Sequence, residues 1–163
     1  MSATSDCRKH RSMSRLRLIL WVATALVAAI GGVDARAQEF SQGTVTVRQP
    51  WSRETAPGLG IGVGYLQVLN HGPRPDLLLA VRTTVAERVE IHQSSMDRGM
   101  MKMRRVEQVA IPAGAEVAFE PGGLHLMLIG LKAPLVAGKS LPLVLRFRDA
   151  GAIKVDFEVR NDR

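Results

Sequence analysis

Residues 153–160, IKVDFEVR, alternate apolar and charged side chains at every position. Successive side chains of a β-strand point to opposite faces, so this stretch predicts a strand with one buried side and one solvent-facing side. Residues 141–147, LPLVLRF, repeat the alternation one strand earlier. The buried faces of the two predicted strands carry Ile153, Val155, Phe157 and Val159, and Leu141, Leu143, Leu145 and Phe147.

The rest of the chain after residue 37 has the same character. Short apolar segments recur between turn-forming clusters such as Asp97-Arg98-Gly99 and Pro121-Gly122-Gly123, and no stretch of ten or more residues has a convincing helical period. We predict the other strands near residues 44–49, 62–70, 76–83, 87–93, 100–109, 115–119 and 124–130. Eight or nine short strands without a helix predict a single all-β domain at 38–163, an antiparallel sandwich or barrel of Greek-key type.

The first 37 residues have the pattern of a secretory signal peptide. A basic stretch precedes the uncharged residues 18–33, and Ala35-Arg36-Ala37 supplies small residues at the −3 and −1 positions of a cleavage site. The uncharged stretch is shorter than the ~20 residues that span a membrane, although an uncleaved N-terminal anchor stays an alternative. We therefore predict a signal peptide at 1–37 and an exported, periplasmic domain at 38–163 without stable membrane insertion. The only cysteine, Cys7, precedes the apolar stretch, so it does not hold the position of a lipidated cysteine, and the mature domain has no thiol.

Charge and motifs exclude two classes of function. The chain carries a net charge of +7, but 38–163 accounts for only +3, which requires no polyanionic partner. We find no G-x-S-x-G turn, no H-E-x-x-H helix and no phosphate-binding glycine motif. We expect neither nucleic-acid binding nor enzymatic activity, and we predict no catalytic residues.

Five of the seven methionines fall between residues 96 and 127. In residues 124–128, LHLML, the leucines share one strand face, so His125 and Met127 project together from the other face. The same alternation of side chains between the two faces of a strand, which we call strand parity, places His92 outside the core. It also puts Met101 and Met103 on one side of their strand. A single methionine is usually a core filler, and a lone strand histidine is usually an ordinary surface or hydrogen-bonded residue. The clustering of both types favours a metal site.

The types of ligand atom in this cluster indicate which metal it would bind. Thioether sulfur is a soft, neutral ligand that suits Cu(I), and imidazole suits copper in both oxidation states. Thiolates bind Cu(I) more tightly, but free thiols oxidise in an exported protein. A site of uncharged His and Met ligands would hold Cu(I) and still release it to a thiolate acceptor, as a chaperone requires.

The spacing of these residues resembles the periplasmic CuA chaperone (PCuAC) family. The family motif H-x10-M-x21-H-x-M is reproduced without a gap by His92, Met103, His125 and Met127. Flanking segments at 50–53, 64–70 and 121–131 also resemble the family. The resemblance implies a cupredoxin-like β-sandwich that binds one Cu(I) through these four residues. It further implies delivery toward the CuA centre of cytochrome c oxidase, often with a Sco-type protein, and we expect a monomer.

Other residues are weaker candidates. Met101 is either an auxiliary or entry ligand or a neighbour that shields the site from solvent. Met96 and Met100 either guide copper or cover the site, and Glu90 either orients His92 or is solvated. We expect His71 to be a solvated loop residue and Trp51 to pack at the core or the edge. Two other functions remain open: copper sequestration for tolerance, and an adaptor sandwich that uses the methionines as a protein interface. Blue-copper electron transfer is excluded because it requires a cysteine ligand.

Overall fold

Eleven β-strands make up the part of the chain that this computed structural model describes, residues 38–161. The predicted signal peptide, 1–37, lies outside those residues. The strands are β1 Glu39–Gln42, β2 Val45–Arg53, β3 Ile61–Asn70, β4 Asp76–Thr83, β5 Ala86–Asp97, β6 Met100–Val106, β7 Val109–Ile111, β8 Glu116–Phe119, β9 Leu124–Leu131, β10 Ser140–Phe147 and β11 Ala152–Arg160. Between residues 38 and 161, no helix is of a length and apolarity suited to crossing a membrane.

The two C-terminal strands behave as their alternation predicts. In β11 the four apolar side chains are at most 3% exposed, whereas the charged residues between them face solvent. β10 pairs with β11 in antiparallel register, with Leu143 opposite Val155. Each such apolar side chain contributes about 1.5–3 kcal/mol by leaving water, so the alternation fixes which face of the hairpin turns inward.

Hydrogen bonds join the strands into one continuous sheet that folds around a single core. The strand order is β6-β5-β9-β8-β3-β2-β11-β10-β4-β7, with β1 paired to β2 and β9 also paired to β3. The core draws buried apolar residues from nearly every strand, including Val47, Leu66, Leu78, Leu126 and Phe157. The prediction of an all-β sandwich is confirmed.

The predicted antiparallel sandwich contains two parallel pairings. β11 runs parallel to β2, with Glu158 opposite Trp51, and β8 makes one parallel bridge to β9. Most of the domain separates β2 from β11 in sequence, so no tight turn forces these two strands to run in opposite directions. The sheet is therefore mixed.

The predicted strand at 100–109 is two strands with different partners. β6 pairs with β5, whereas β7 pairs with β4. β5 and β6 form a hairpin through Arg98 and Gly99, whose φ angles are +51° and +80°. Positive φ at both central residues is typical of a type I′ turn, whose twist matches that of the paired strands. This hairpin carries four of the five clustered methionines.

Two further expectations concern single side chains. Trp51 is half-buried, with its ring 4.7 Å from that of Tyr65 and 5.7 Å from the guanidinium carbon of Arg160. Trp51 therefore lies on a partly exposed face of the sheet, between its partners on β3 and β11, and not at an edge strand or in the fully buried core. His71 is exposed in the loop after β3, as expected.

Candidate metal site

The loop that begins β9 is shaped by glycine and proline. Residues 120–123 form a turn in which the Gly123 N–H donates to the Glu120 carbonyl over 3.0 Å. Gly122 has φ +82°, which suits glycine at the third position of a type II turn with Pro121 before it. The turn ends at Gly123, whose carbonyl accepts the Ser94 N–H of β5 at 3.0 Å. The start of β9 is thereby fixed against β5.

Strand parity places the candidate ligands as predicted. Leu126 and Leu128 are fully buried in the core, and Leu124 packs against it. His125 and Met127 alternate with these leucines and therefore occupy the opposite face of β9. On β5, Ile91 is buried in the core, so its neighbour His92 lies on the opposite face.

The sheet order brings all four candidate ligands onto one face of three adjacent strands. His92 of β5 is the direct cross-strand partner of His125 of β9. Met127 lies opposite Glu90, two residues before His92, and Met103 of β6 lies opposite Ser94, two residues after it. Direct cross-strand partners project to the same side of a sheet. The two thioethers therefore flank the histidine pair diagonally, one from each neighbouring strand.

The two imidazole rings are spaced for a shared ion. Their centroids are 6.0 Å apart and their planes are inclined by 44°. A metal–nitrogen bond of about 2.0 Å puts an ion about 3 Å from each ring centroid, so one ion between two rings separates the centroids by at most about 6 Å. The observed separation fits a single ion bonded to both rings.

Glu90 determines which nitrogen of His92 is available. The Nε2 atom of His92 lies 3.0 Å from Oε2 of Glu90, and an ionised carboxylate only accepts hydrogen bonds, so Nε2 carries the proton. Nδ1 of a neutral His92 then bears the lone pair. Within residues 38–161, Nδ1 of His92 is the one buried side-chain nitrogen or oxygen without a hydrogen-bond partner. A buried acceptor without a partner is destabilising unless something else binds it.

His125 has the opposite tautomer. Its Nδ1 atom lies 3.1 Å from the Gly123 carbonyl, and a carbonyl only accepts, so Nδ1 donates and Nε2 carries the lone pair. The same carbonyl also accepts the Ser94 N–H. Each histidine is therefore held by one ring nitrogen and offers the other to a ligand, which is the usual arrangement of metal-binding imidazoles.

Glu90 lies in a small charged cluster. Hydrogen bonds from His92 and Arg88 lower the pKa of the Glu90 carboxyl below its usual value, against a weaker opposing effect of burial. Arg105, the direct partner of His92 on β6, approaches Glu90 to 3.6 Å. The carboxylate therefore stays ionised at neutral pH and keeps accepting from His92. Of its two predicted roles, orientation of His92 agrees with these contacts.

Exposure differs among the four candidates in a way that parity alone did not predict. His125 is only 5% exposed although it lies on the face opposite the core leucines, whereas Met103 is 52% exposed on the edge strand β6. His92 and Met127 are intermediate. In the part of the chain that the structure describes, no group of three or more His, Cys, Asp or Glu side chains could hold a metal ion, so the candidate site depends on its methionines.

Sequence reasoning missed two residues that organise this face. The Gly123 carbonyl orients His125, and Arg105 faces His92 across the hairpin. Counting back from a two-residue turn at Arg98-Gly99 gives the Arg105–His92 pairing directly, so that signal was present in the sequence. The role of Gly123 depends on the backbone path of a turn, which residue types do not encode.

Comparisons with known proteins give one consistent result. The family model "Putative lipoprotein LpqE-like" matches residues 45–159. The "Putative lipoprotein Lxx21020" of Leifsonia xyli subsp. xyli is 31% identical over 118 residues, which cover 72% of this chain and 70% of that protein. The "Copper-bound PCuAC domain from PmoF2" superposes with a TM-score of 0.67 at 25% identity, over 77% of this chain and 99% of that one. The "Apo PCuAC domain from PmoF1" gives 0.66 at 26% identity, over 77% and 100%. These similarities confirm the cupredoxin-like fold class.

Proposed function

The chain belongs to the LpqE-like family, the family of the PCuAC domains, and from this premise we propose that it is a periplasmic copper chaperone. It binds one Cu(I) through His92, Met103, His125 and Met127 and delivers the ion toward the CuA centre of cytochrome c oxidase. Copper is the cargo of the protein, so the site must both hold the ion and release it. The structurally similar PCuAC domain from PmoF2 binds copper.

The observation that carries the proposal is the arrangement of the histidine pair. His92 and His125 are direct cross-strand partners with ring centroids 6.0 Å apart. Each ring gives one nitrogen to a protein acceptor and keeps a lone pair on the other. The buried Nδ1 atom of His92 has no partner of its own, so a bound cation would remove an unfavourable feature of the fold.

The two methionines complete a soft, uncharged donor set. Met103 on β6 and Met127 on β9 flank His92 from opposite sides, and their long side chains reach across the diagonal spacing of neighbouring strands. The ion would lie between the two imidazole rings, with one thioether on each side of His92. Four neutral ligands leave Cu(I) with its positive charge, which favours transfer to a thiolate acceptor.

Export is the setting in which this ligand set is useful. Residues 1–37 carry the signal-peptide pattern, and the matching family is named for lipoproteins. In this chain Cys7 precedes the apolar stretch, so the proposed protein is a released periplasmic domain. The expected partners are the CuA-bearing subunit of cytochrome c oxidase and a Sco-type protein.

Oxidase activity in a deletion strain at low copper tests delivery. We expect activity to fall on deletion, to recover with added copper, and to recover with the wild-type gene but not with a His125→Gln, Met127→Leu variant. Normal oxidase activity combined with increased copper sensitivity would instead favour sequestration. Normal activity and normal copper tolerance would leave the adaptor function as the better account.

A further inference from the structure

The β5–β6 hairpin carries a second pair of thioethers beyond the proposed ligands. Met96 of β5 and Met101 of β6 are direct cross-strand partners near the tip of the hairpin. Cross-strand partners have Cβ atoms about 4.5–5.5 Å apart and project to the same side. Two flexible thioethers in this position are close enough to bind one soft ion together.

This pair lies on the same face as the proposed copper ligands. Met96 follows His92 and Ser94 at two-residue steps along β5, and Met101 precedes Met103 by two residues along β6. Two residues of strand correspond to about 7 Å. The side chains with soft donor atoms therefore form a line from the hairpin tip, through Met103, to the histidine pair.

Solvent has free access to the pair. Met96 is 67% exposed and Met101 is 69% exposed, because β9 reaches only as far as Gln93 and β5 continues beyond it with β6 alone. Neither methionine fills the core. Core packing therefore does not explain their position. Exposed thioethers in an oxidising compartment are also prone to sulfoxide formation, which favours a functional reason for placing two methionines here.

The cationic side chains of β6 point away from this face or lie beside a carboxylate. Lys102 and Arg104 alternate with the methionines and lie on the other side of β6, where Lys102 contacts Asp97 and Arg104 donates to Gln93. Arg105 shares the methionine face, but it lies beside the Glu90 carboxylate. A cation approaching Met96 and Met101 therefore meets little repulsion from β6.

We propose that Met96 and Met101 form a second, weaker Cu(I) site that acquires the ion and passes it inward to Met103. This inference rests on the proposed function, since it supplies the path by which copper reaches the histidine pair. Two neutral sulfurs bind Cu(I) less tightly than a set that includes two imidazoles. Copper acquired at the tip would therefore move toward the inner site and remain there.

Methionine-methyl NMR during anaerobic Cu(I) titration of the purified protein separates the two sites. The first equivalent should shift the methyl resonances of Met103 and Met127, and the second should shift those of Met96 and Met101. Met100 provides the internal control, because it is 62% exposed on the same hairpin but lies on its opposite face. A Met96→Leu, Met101→Leu variant should lose the second equivalent, whereas Met100→Leu should keep it.

Two results would overturn the inference: Met96 and Met101 resonances that shift no more than that of Met100, or a second equivalent that survives in the double variant. Failure of the proposed function has a different signature, since Met103 and Met127 would then fail to respond to the first equivalent. A response of Met96 and Met101 in that case would still support a copper site at the hairpin tip.

Discussion

Asp76 provides a quantitative test of how the sandwich is held together. Asp76 is only 3% exposed at the start of β4, and its carboxylate accepts three backbone N–H groups. Leu77 and Asp149 donate to Oδ1 over 2.7 and 2.9 Å, and Ala150 donates to Oδ2 over 2.9 Å. The contacts tie β4 to the turn between β10 and β11. We predict that Asp76→Asn loosens this junction.

The structure sets the size of the effect. Asparagine keeps one acceptor oxygen for Leu77 and Asp149 but places an NH₂ group opposite the Ala150 N–H. Hydrogen bonds to a charged group are worth about 1 kcal/mol more than neutral ones, and an unsatisfied buried donor costs about 1–3 kcal/mol. Allowing for partial solvent access at Ala150, the free energy of unfolding should fall by about 2–4 kcal/mol. In a domain of this size the melting temperature should drop by roughly 10 °C.

The pH dependence gives an independent check. Burial raises the pKa of Asp76, but the three backbone hydrogen bonds and the Arg148 charge outweigh burial and hold the pKa below its ordinary value of 3.8. A carboxyl whose pKa is lowered on folding stabilises the fold above its unfolded-state pKa and loses that contribution as the pH falls through its folded-state pKa. The difference in unfolding free energy between wild type and Asp76→Asn should therefore be constant at pH 5–8 and shrink below about pH 4.

Chemical denaturation at several pH values measures both effects. Asp149→Asn is the matched control, because the Asp149 side chain is 60% exposed, pairs with Arg148 at the surface and leaves the backbone donor of residue 149 intact. We expect this control to change the unfolding free energy by less than about 0.5 kcal/mol. Equal unfolding free energies of the two variants would refute the reasoning. So would a difference in unfolding free energy between wild type and Asp76→Asn that is as large at pH 3 as at neutral pH.

Three further predictions concern the metal site and the core. Glu90→Gln weakens the bond that orients His92 and should lower Cu(I) affinity about 10- to 100-fold; unchanged affinity in a chelator competition assay would contradict that role. Cu(I) affinity should fall between pH 7.5 and pH 5, because protons compete with the ion for the imidazole nitrogens; a flat profile would contradict histidine ligation. Gly64→Ala places a Cβ 3.1 Å from the Phe157 ring and should lower the unfolding free energy by about 1–3 kcal/mol. Gly60→Ala, with open space around its Cβ, should change the melting temperature little, and identical behaviour of the two glycine variants would refute the packing argument.

Local alternation predicted the strands wherever one face is buried and the other is solvated. β11 and β10 match their predicted alternation, and β4 has the predicted limits of 76 and 83. β1, with the sequence EFSQ, was not predicted because it is short, mostly exposed and without alternation. The continuation of β5 to Asp97 and the division between β6 and β7 depend on pairing partners, which alternation within a strand does not specify.

The candidate site was predictable in its residues but not in its assembly. Parity placed His125 and Met127 opposite the core leucines, and the structure agrees. The direct pairing of His92 with His125 requires β5 and β9 to be neighbours, and their position in the sheet is a property of the whole fold. The burial of His125 and the orphaned nitrogen of His92 follow from that packing. The assignment of the four ligands stays a prediction.

Competition between the purified protein and a Cu(I) chelator of known affinity tests the ligand assignment most directly. A His125→Gln, Met127→Leu variant removes two proposed ligands with little change in volume, and His71→Gln, Met100→Leu makes the same substitutions at exposed positions off the site. Circular dichroism verifies that both variants are folded. We predict that wild type and the off-site variant each retain one tightly held equivalent of Cu(I) and that the site variant retains none. A folded site variant that still holds one equivalent as tightly as wild type would contradict the assignment.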